Sequence, residues 1–267
     1  MKIGALIPIR LASERLPGKA LMTISGRSVV AHLLDRVCAC RHIENARDIV
    51  VCTTTAASDD PLADAVEAYG CSVFRGDIDD IIRRFADAMA AHKLSAVVQV
   101  DGDDPLSATE YMDLTMDRLL AEPDLDIVTS EGLPLGCNVK SFTRKAMDKV
   151  AAAYQTRQND TGFIYFFTKS GLTKHVTIQP TSPTHRHDTA RLTLDYPVDL
   201  EFFTRIFEAL YRPGEIFGLP ETVAFLRDNP ELIDINRDVE AEYWRRTVEK
   251  SKLSFIGADG SEREIEG

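Results

Sequence analysis

Apolar and polar positions alternate in blocks along the first half of the chain, and the blocks read in turn as strands and helices. Residues 3–9 are an unbroken apolar run, as in a buried strand, ending at Arg10 in a polar loop. Residues 48–54 form a β-branched run, and residues 58–69 follow with Ser58-Asp59-Asp60-Pro61, a strong helix start. A short strand at 72–74 precedes an amphipathic helix over 79–92, with Ile81, Ile82, Phe85 and Met89 on its buried face. A buried strand at 96–100, a helix over 109–121 and a fifth strand at 126–129 continue the rhythm. This alternation predicts an α/β fold, a mostly parallel sheet with helices on both faces.

The pattern changes over residues 130–190, where strand-like pieces at 138–142, 163–168 and 175–179 mix with Gly, Pro, Asn and Thr. The segment reads as an insertion over the site or a dimerising arm. Phe163, Tyr165 and Phe167 alternate, which places them on one face of a strand, either core or homodimer interface. The earlier rhythm returns with a strand at 191–194 and a helix from Pro197 to residue 210; proline suits a first helical turn, where its missing N–H goes unneeded. After Arg212-Pro213-Gly214 a helix starts near Pro220, another spans 238–250, and the charged tail at 257–267 is expected to fray. The expected organisation is one domain over 1–215, with its insertion at about 130–190, and a helical extension with a flexible tail over 216–267.

A net charge of −11 argues against a general nucleic-acid binder, whose affinity comes from neutralising phosphates. No stretch approaches the roughly 20 apolar residues of a membrane span, and the start of the chain does not read as a secretion signal. The five cysteines are scattered, and Cys38-x-Cys40, in an expected helix, lacks a second pair to complete a zinc site. They predict reduced thiols in a cytoplasmic protein. Against the acidic background, Arg10, Ser13, Arg15, Gly18 and Lys19 form a local basic exception. Three cations, a hydroxyl and a glycine just past a strand's carboxyl end suit a polyphosphate, in the usual ligand position of an open α/β sheet. The loop is neither a P-loop nor a dinucleotide fingerprint.

The strand at 96–100 runs into Asp101-Gly102-Asp103-Asp104-Pro105, setting acids at the same sheet edge. Magnesium is held by one or two carboxylates plus substrate phosphates. One of these acids can serve it while another caps the following helix. Asp195 ends the expected strand at 191–194 and can supply a second carboxylate or cap the next helix; Asp199, in the first helical turn, is accounted for by the helix dipole. Arg10, Lys19, Asp103 and Asp195 thus gather from three strand ends, an arrangement suited to phosphoryl or nucleotidyl transfer. Thr53, with Thr54 and Thr55 at the end of the second strand, is a candidate partner for base or ribose. Arg157, Arg186 and Arg191 are candidates for an acceptor carboxylate, with an ordinary surface or core ion pair as the alternative that any single one more often fills. The polar stretch from Thr184 to Asp188 carries two histidines but no matching ligand set, and reads as a loop bordering the site.

The segment Arg10-x-x-Ser13-x-Arg15-x-Pro17-Gly18-Lys19 resembles the signature loop of the sugar-acid cytidylyltransferases, especially the spore-coat-polysaccharide branch. Phe74-Arg75-Gly76-Asp77, the segment from Asp79 to Phe85, Gly102-Asp103-x-Pro105-Leu106 and Leu192-Thr193-Leu194-Asp195-x-Pro197-x-Asp199 match as well. The resemblance implies a Rossmann-like nucleotidyltransferase fold, CTP as donor and Mg²⁺ as cofactor. It assigns Arg10, Ser13, Arg15, Gly18 and Lys19 to the triphosphate, Arg84 to the nucleotide side, and Asp103 and Asp195 to the metal. Lys19, Arg10 and Asp103 become the catalytic residues, and a 2-keto-3-deoxy sugar acid the acceptor, for surface glycan synthesis. A different donor or acceptor, or a non-catalytic nucleotide-sugar-binding homologue, are the alternatives. The insertion departs from the branch: Gly136-Cys137-Asn138-Val139-Lys140 stands where an acidic pair follows a glycine, and Arg157-Gln158-Asn159-Asp160-Thr161 where Arg-Glu-His-x-Thr is usual. Lys140 in place of an acid reads either as suiting a more anionic acceptor or as drift at a surface position.

Overall fold

The computed structural model describes residues 1–265; the last two residues of the expected tail lie outside the described residues. The chain opens with β1 (Ile3–Pro8), a ribbon of β2 (Thr23–Ile24) and β3 (Arg27–Ser28), and α1 (Val29–Cys38), whose N-cap Ser28 hydroxyl accepts from the Ala31 N–H. β4 (Ile49–Thr54), α2 (Asp60–Tyr69), β5 (Ser72–Gly76), α3 (Ile81–Ala91), β6 (Ala96–Gln99), α4 (Thr109–Ala121) and β7 (Ile127–Ser130) follow, matching the expected alternation. Then come β8 (Lys140–Thr143), α5 (Arg144–Ala153), α6 (Tyr165–Thr168), β9 (His175–Ile178), α7 (Pro197–Leu210), α8 (Leu219–Asp228) and α9 (Glu240–Lys250). A hairpin of β10 (Leu253–Ile256) and β11 (Glu262–Ile265) ends the described chain.

Seven strands form one sheet in the order β5-β4-β1-β6-β8-β7-β9. The first four run parallel, β8 is antiparallel to both neighbours, and β9 is parallel to β7. The chain leaves β1 toward β4 on one side and returns to β6 on the other. That change of direction opens a crevice at the carboxyl ends of β1 and β6, where open α/β sheets bind ligands.

Strand residues alternate between two buried faces. Ala5, Ile7, Val51 and Val98 face the core built with α1, α2, α4, α7 and α8, whereas Leu6, Val50, Cys52 and Val97 face the core built with α3, α5 and α6. A strand buried on both faces reads as a continuous apolar run, which is why β1, β4 and β6 are so plain in the sequence.

Four parts of the chain differ from expectation, the first being the helix α5 over residues for which the pattern predicts no element. Residues 163–168 are not a strand: they enter the short helix α6, and Phe163 and Phe167 are core residues against Phe85 (ring centroids 5.4 Å) and Phe142 (4.9 Å). The aromatic stripe is therefore no exposed dimer face. Residues 191–194 are extended but join the rest through one bridge, Leu135 to Arg191, rather than as a strand of the sheet. The tail folds back as the β10–β11 hairpin, with Leu253, Phe255 and Ile265 buried in the second core. Truncating a buried phenylalanine costs about 3–5 kcal/mol, so Phe255→Ala should lower unfolding free energy in urea by about that much. A frayed tail would leave it unchanged.

Candidate active site

A cavity of about 430 Å³ lies at the carboxyl ends of β1 and β6, the size of a small-molecule site. The loop after β1 folds over on itself: the Leu11 carbonyl accepts from the N–H groups of Ser13 and Gly18, both at 2.9 Å. Gly18 turns the chain at φ +72°, a conformation that a side chain resists. The Leu11 N–H donates to Asp59 (2.8 Å), whose other oxygen accepts from the hydroxyls of Thr53 (3.0 Å) and Thr54 (2.5 Å). This buried carboxylate ties the loop to the end of β4. Gly102 lets the β6 loop lie against the end of β1, since a Cβ there would stand 2.5 Å from the Pro8 carbonyl oxygen.

Lys19 sits at the centre. Its ammonium donates to Asp103 (2.9 Å), to Asp195 (3.0 Å) and to the Leu194 carbonyl (2.7 Å). Arg15 also donates to Asp195. The two aspartates are linked through the main chain as well, the Leu194 N–H donating to the Asp103 carbonyl at 2.8 Å. Burial works against the charge on Lys19, but Asp103 and Asp195 outweigh it and hold its pKa above the ordinary value. Burial also opposes ionisation of Asp195, yet Lys19 and Arg15 win and bring its carboxyl down to about 2. Asp103 goes the other way: burial and the nearby Asp195 and Asp101 raise it despite Lys19. Asp104, buried beside Asp103 and Asp101, is raised further, and one of its oxygens has no hydrogen-bond partner.

Asp195 is held from behind by a second buried group. Arg191 donates to Asp195 (3.0 Å) and to both oxygens of Asp199 (3.2 and 3.3 Å). Asp199 also accepts from the N–H groups of Asp195 and Tyr196, both at 2.8 Å, and from the Asn236 amide at 2.9 Å. The rings of Tyr196 and Tyr243 flank both arginines, with the Arg191 guanidinium 4.4 Å from the Tyr243 centroid and that of Arg15 4.9 Å from Tyr196. Cation–π contact compensates part of the cost of burying such charge.

Arg10, Ser13, Arg15, Lys19, Arg84, Asp103 and Asp195 all line the cavity. Arg10 is paired with Asp160 of the insertion at 2.5 Å. Arg84 donates to the Asp77 carbonyl at 2.8 Å and keeps a buried Nε without a partner; burial lowers its pKa. Gly18 shapes the loop from outside the lining. Thr53 is fully buried and its hydroxyl is taken by Asp59, so it does not face the cavity. Arg157 and Arg186 are exposed and outside the lining, and Arg191 is sealed beneath Asp195. Lys140 reaches the cavity but is paired with Asp101 at 2.6 Å, so it is not an unbalanced cation there. Asn159 is structural: its side-chain oxygen accepts from the N–H groups of Ile81 and Ile82 at the start of α3. The sequence pattern sets Asp101 at the sheet edge without singling it out, and does not point to Asp160 or to four residues of α9 that line the cavity: Tyr243, Arg246, Thr247 and Lys250.

A cation-rich loop after the first strand, acids after β6 and a switch point between them define a Rossmann-like nucleotidyltransferase. The cytidylyltransferase family model matches residues 4–215, and the chain belongs to that family. An uncharacterised protein of Methanocaldococcus jannaschii is 28% identical over 254 residues, 93% of this chain and all of that protein. A 3-deoxy-manno-octulosonate cytidylyltransferase of Pelobacter propionicus is 35% identical over 132 residues, 48% of this chain and 49% of the relative. The chain thus matches about half the length of that relative. Among solved structures, a cytidylyltransferase of Leptospira borgpetersenii has a TM-score of 0.78 at 24% identity, covering 87% of this chain and 97% of its own. CMP:2-keto-3-deoxy-manno-octonic acid synthetase in complex with CTP scores 0.60 at 15% identity, covering 78% and 99%. These likenesses establish the fold.

The Arg191–Asp199 pair gives a direct test. Removing one partner from a buried charge network costs about 3–5 kcal/mol; here it would leave Arg191 with Asp195 alone and take the acceptor from the Asp195 and Tyr196 N–H groups. Interaction with a helix dipole alone is worth about 0.3–1 kcal/mol. Asp199→Ala should therefore lower the unfolding free energy by about 3 kcal/mol or more, and a loss under about 1 kcal/mol would contradict this geometry.

Proposed function

We propose that this protein transfers CMP from CTP to the anomeric hydroxyl of a 2-keto-3-deoxy sugar acid, releasing pyrophosphate, as a cytoplasmic step in surface-polysaccharide synthesis. The observation that carries the reading is Lys19 held between Asp103 and Asp195 at the mouth of a cation-lined loop. Membership of the cytidylyltransferase family supports the donor. The partial match to 3-deoxy-manno-octulosonate cytidylyltransferases supports the acceptor class. Free cysteines, four of the five buried, suit a reducing compartment.

The residues present fit a divalent cation. Asp103 and Asp195 turn one oxygen each toward the point occupied by the Lys19 ammonium. Among the described residues no group of three or more His, Cys, Asp or Glu side chains forms a metal site. Two carboxylates completed by phosphate oxygens are what Mg²⁺ ordinarily takes, so Asp103 and Asp195 would hold it. When bound, the ion supplies charge neutralisation and orientation for the phosphates.

In the proposed reaction Arg10, Arg15 and Lys19 hold the triphosphate and stabilise charge developing on it. The acceptor oxygen bonds to the α-phosphorus as the bond to the β-phosphate oxygen breaks, pyrophosphate leaves, and the hydroxyl proton passes to solvent. No protein nucleophile is needed. The rate comes from alignment and charge stabilisation. Tyr165 and Ile164, with Phe163 behind them, give the cavity an apolar wall on the side of the insertion. The Lys140–Asp101 pair presents both a donor and an acceptor there, suited to a polyhydroxylated sugar.

In a thermal-shift panel with Mg²⁺, CTP should raise the melting temperature more than UTP or ATP. Stabilisation by UTP or ATP but not CTP would overturn the donor. Pyrophosphate release should require a 2-keto-3-deoxy sugar acid, and Asp103→Asn should lower it about 100-fold or more. Undiminished turnover in Asp103→Asn would remove this carboxylate from the mechanism.

A further inference from the structure

The C-terminal helix α9 lies beyond the residues matched by the family model, yet it forms one wall of the cavity. Its contribution follows helical spacing: Tyr243, Arg246, Thr247 and Lys250 stand at i, i+3, i+4 and i+7, and so share one face. The usual arrangement is reversed, for this polar face is turned inward while Trp244 (46% exposed) and Val248 (57%) face out. No residue of α9 is fully buried, so core packing does not hold it in place. Its attachments are polar. Arg246 (3.3 Å) and Lys250 (3.6 Å) both reach Glu14, and the Tyr243 ring covers Arg191. Within the helix, Arg246 also pairs with Glu242 at 3.0 Å.

Glu14 belongs to the loop that carries Ser13 and Arg15, so the two α9 cations meet that loop where both line the cavity. Arg10, Arg15 and Lys19 are each held by an aspartate of the site, whereas among the described residues Lys250 pairs with Glu14 alone, a carboxylate 63% exposed, and Arg246 with Glu14 and, within its own helix, Glu242. An exposed ion pair of this kind is weak and readily exchanged for a multivalent anion.

We infer that Arg246 and Lys250 of α9 form a second anion subsite, which grips the terminal phosphates of the bound nucleoside triphosphate opposite the loop, and that Glu14 occupies it until the nucleotide arrives. The inference rests on the proposed function in taking the loop as the triphosphate site. It adds that the chain beyond the matched family region helps to hold the donor and the departing pyrophosphate.

The test compares CTP, CMP and inorganic tripolyphosphate, each with Mg²⁺, by calorimetric titration of the full chain. The double variant Arg246→Ala/Lys250→Ala should weaken CTP and tripolyphosphate about 10-fold or more and leave CMP within about 2-fold. Glu14→Gln breaks the same ion pairs but keeps both cations, and should tighten CTP. If CTP and CMP weaken together in the double variant, or if Glu14→Gln weakens CTP as much as the double variant does, the ion pairs only anchor the helix and the subsite is wrong. No change in the double variant would also overturn it. Lys250→Ala alone, at a half-exposed position, repeats the test where the double variant fails to fold. A wild-type protein that binds another triphosphate in preference to CTP contradicts the proposed donor, while the tripolyphosphate titrations still decide the α9 subsite.

Discussion

The ammonium of Lys19, shared between Asp103 and Asp195, is the interaction on which the rest of the site depends. Two carboxylates brought this close in a buried setting repel one another, and only a cation between them makes the arrangement stable. The fold supplies that cation from a different strand end than either acid. Lys19 comes from the loop after β1, Asp103 from the end of β6, and Asp195 from the extended segment before α7. Each element is fixed independently: the loop by Asp59, the β6 turn by the room that Gly102 leaves, and Asp195 by Arg191 and Asp199.

The same constraint explains the charge pattern around the cavity. Nearly every cation facing it has a carboxylate partner: Arg10 with Asp160, Arg15 with Asp195, Lys140 with Asp101, and the α9 pair with Glu14. Arg84 is the exception; it is held by a main-chain carbonyl, with burial working against its charge. A site balanced in this way stays folded without ligand. Under the proposed function the partners would be exchanged, carboxylates for phosphates and the ammonium for a metal, with little net change in buried charge.

Much of the fold was legible in the sequence because β1, β4 and β6 are buried on both faces and read as unbroken apolar runs. The loop from Arg10 to Lys19 stood out for being basic in an acidic chain, and Asp103 for following a strand. What stayed hidden depends on partners distant in sequence. Arg191 stands among the candidates for an acceptor carboxylate, and the pattern alone does not select its alternative, the core ion pair that Asp199 forms with it from eight residues on. Thr53 looked available until Asp59 was seen to take its hydroxyl. Phe163, Tyr165 and Phe167 alternate as in a strand, but Phe163 and Phe167 are equally i and i+4 of a helical turn, and a run this short does not separate the two periods. The helix α5 carried a readable signal in Ala146, Met147, Val150 and Ala153, with a Thr143 cap. The polar face of α9 carried none, because a stripe of Arg, Thr and Lys on a terminal helix ordinarily faces water.

The most direct test of the central claim is a crystal structure of the protein with CTP and Mg²⁺. The account predicts the ion between Asp103 and Asp195, with the Lys19 ammonium moved from that position onto the phosphates. A complex in which Lys19 still bridges the two aspartates, with the nucleotide and its ion bound elsewhere, would contradict it.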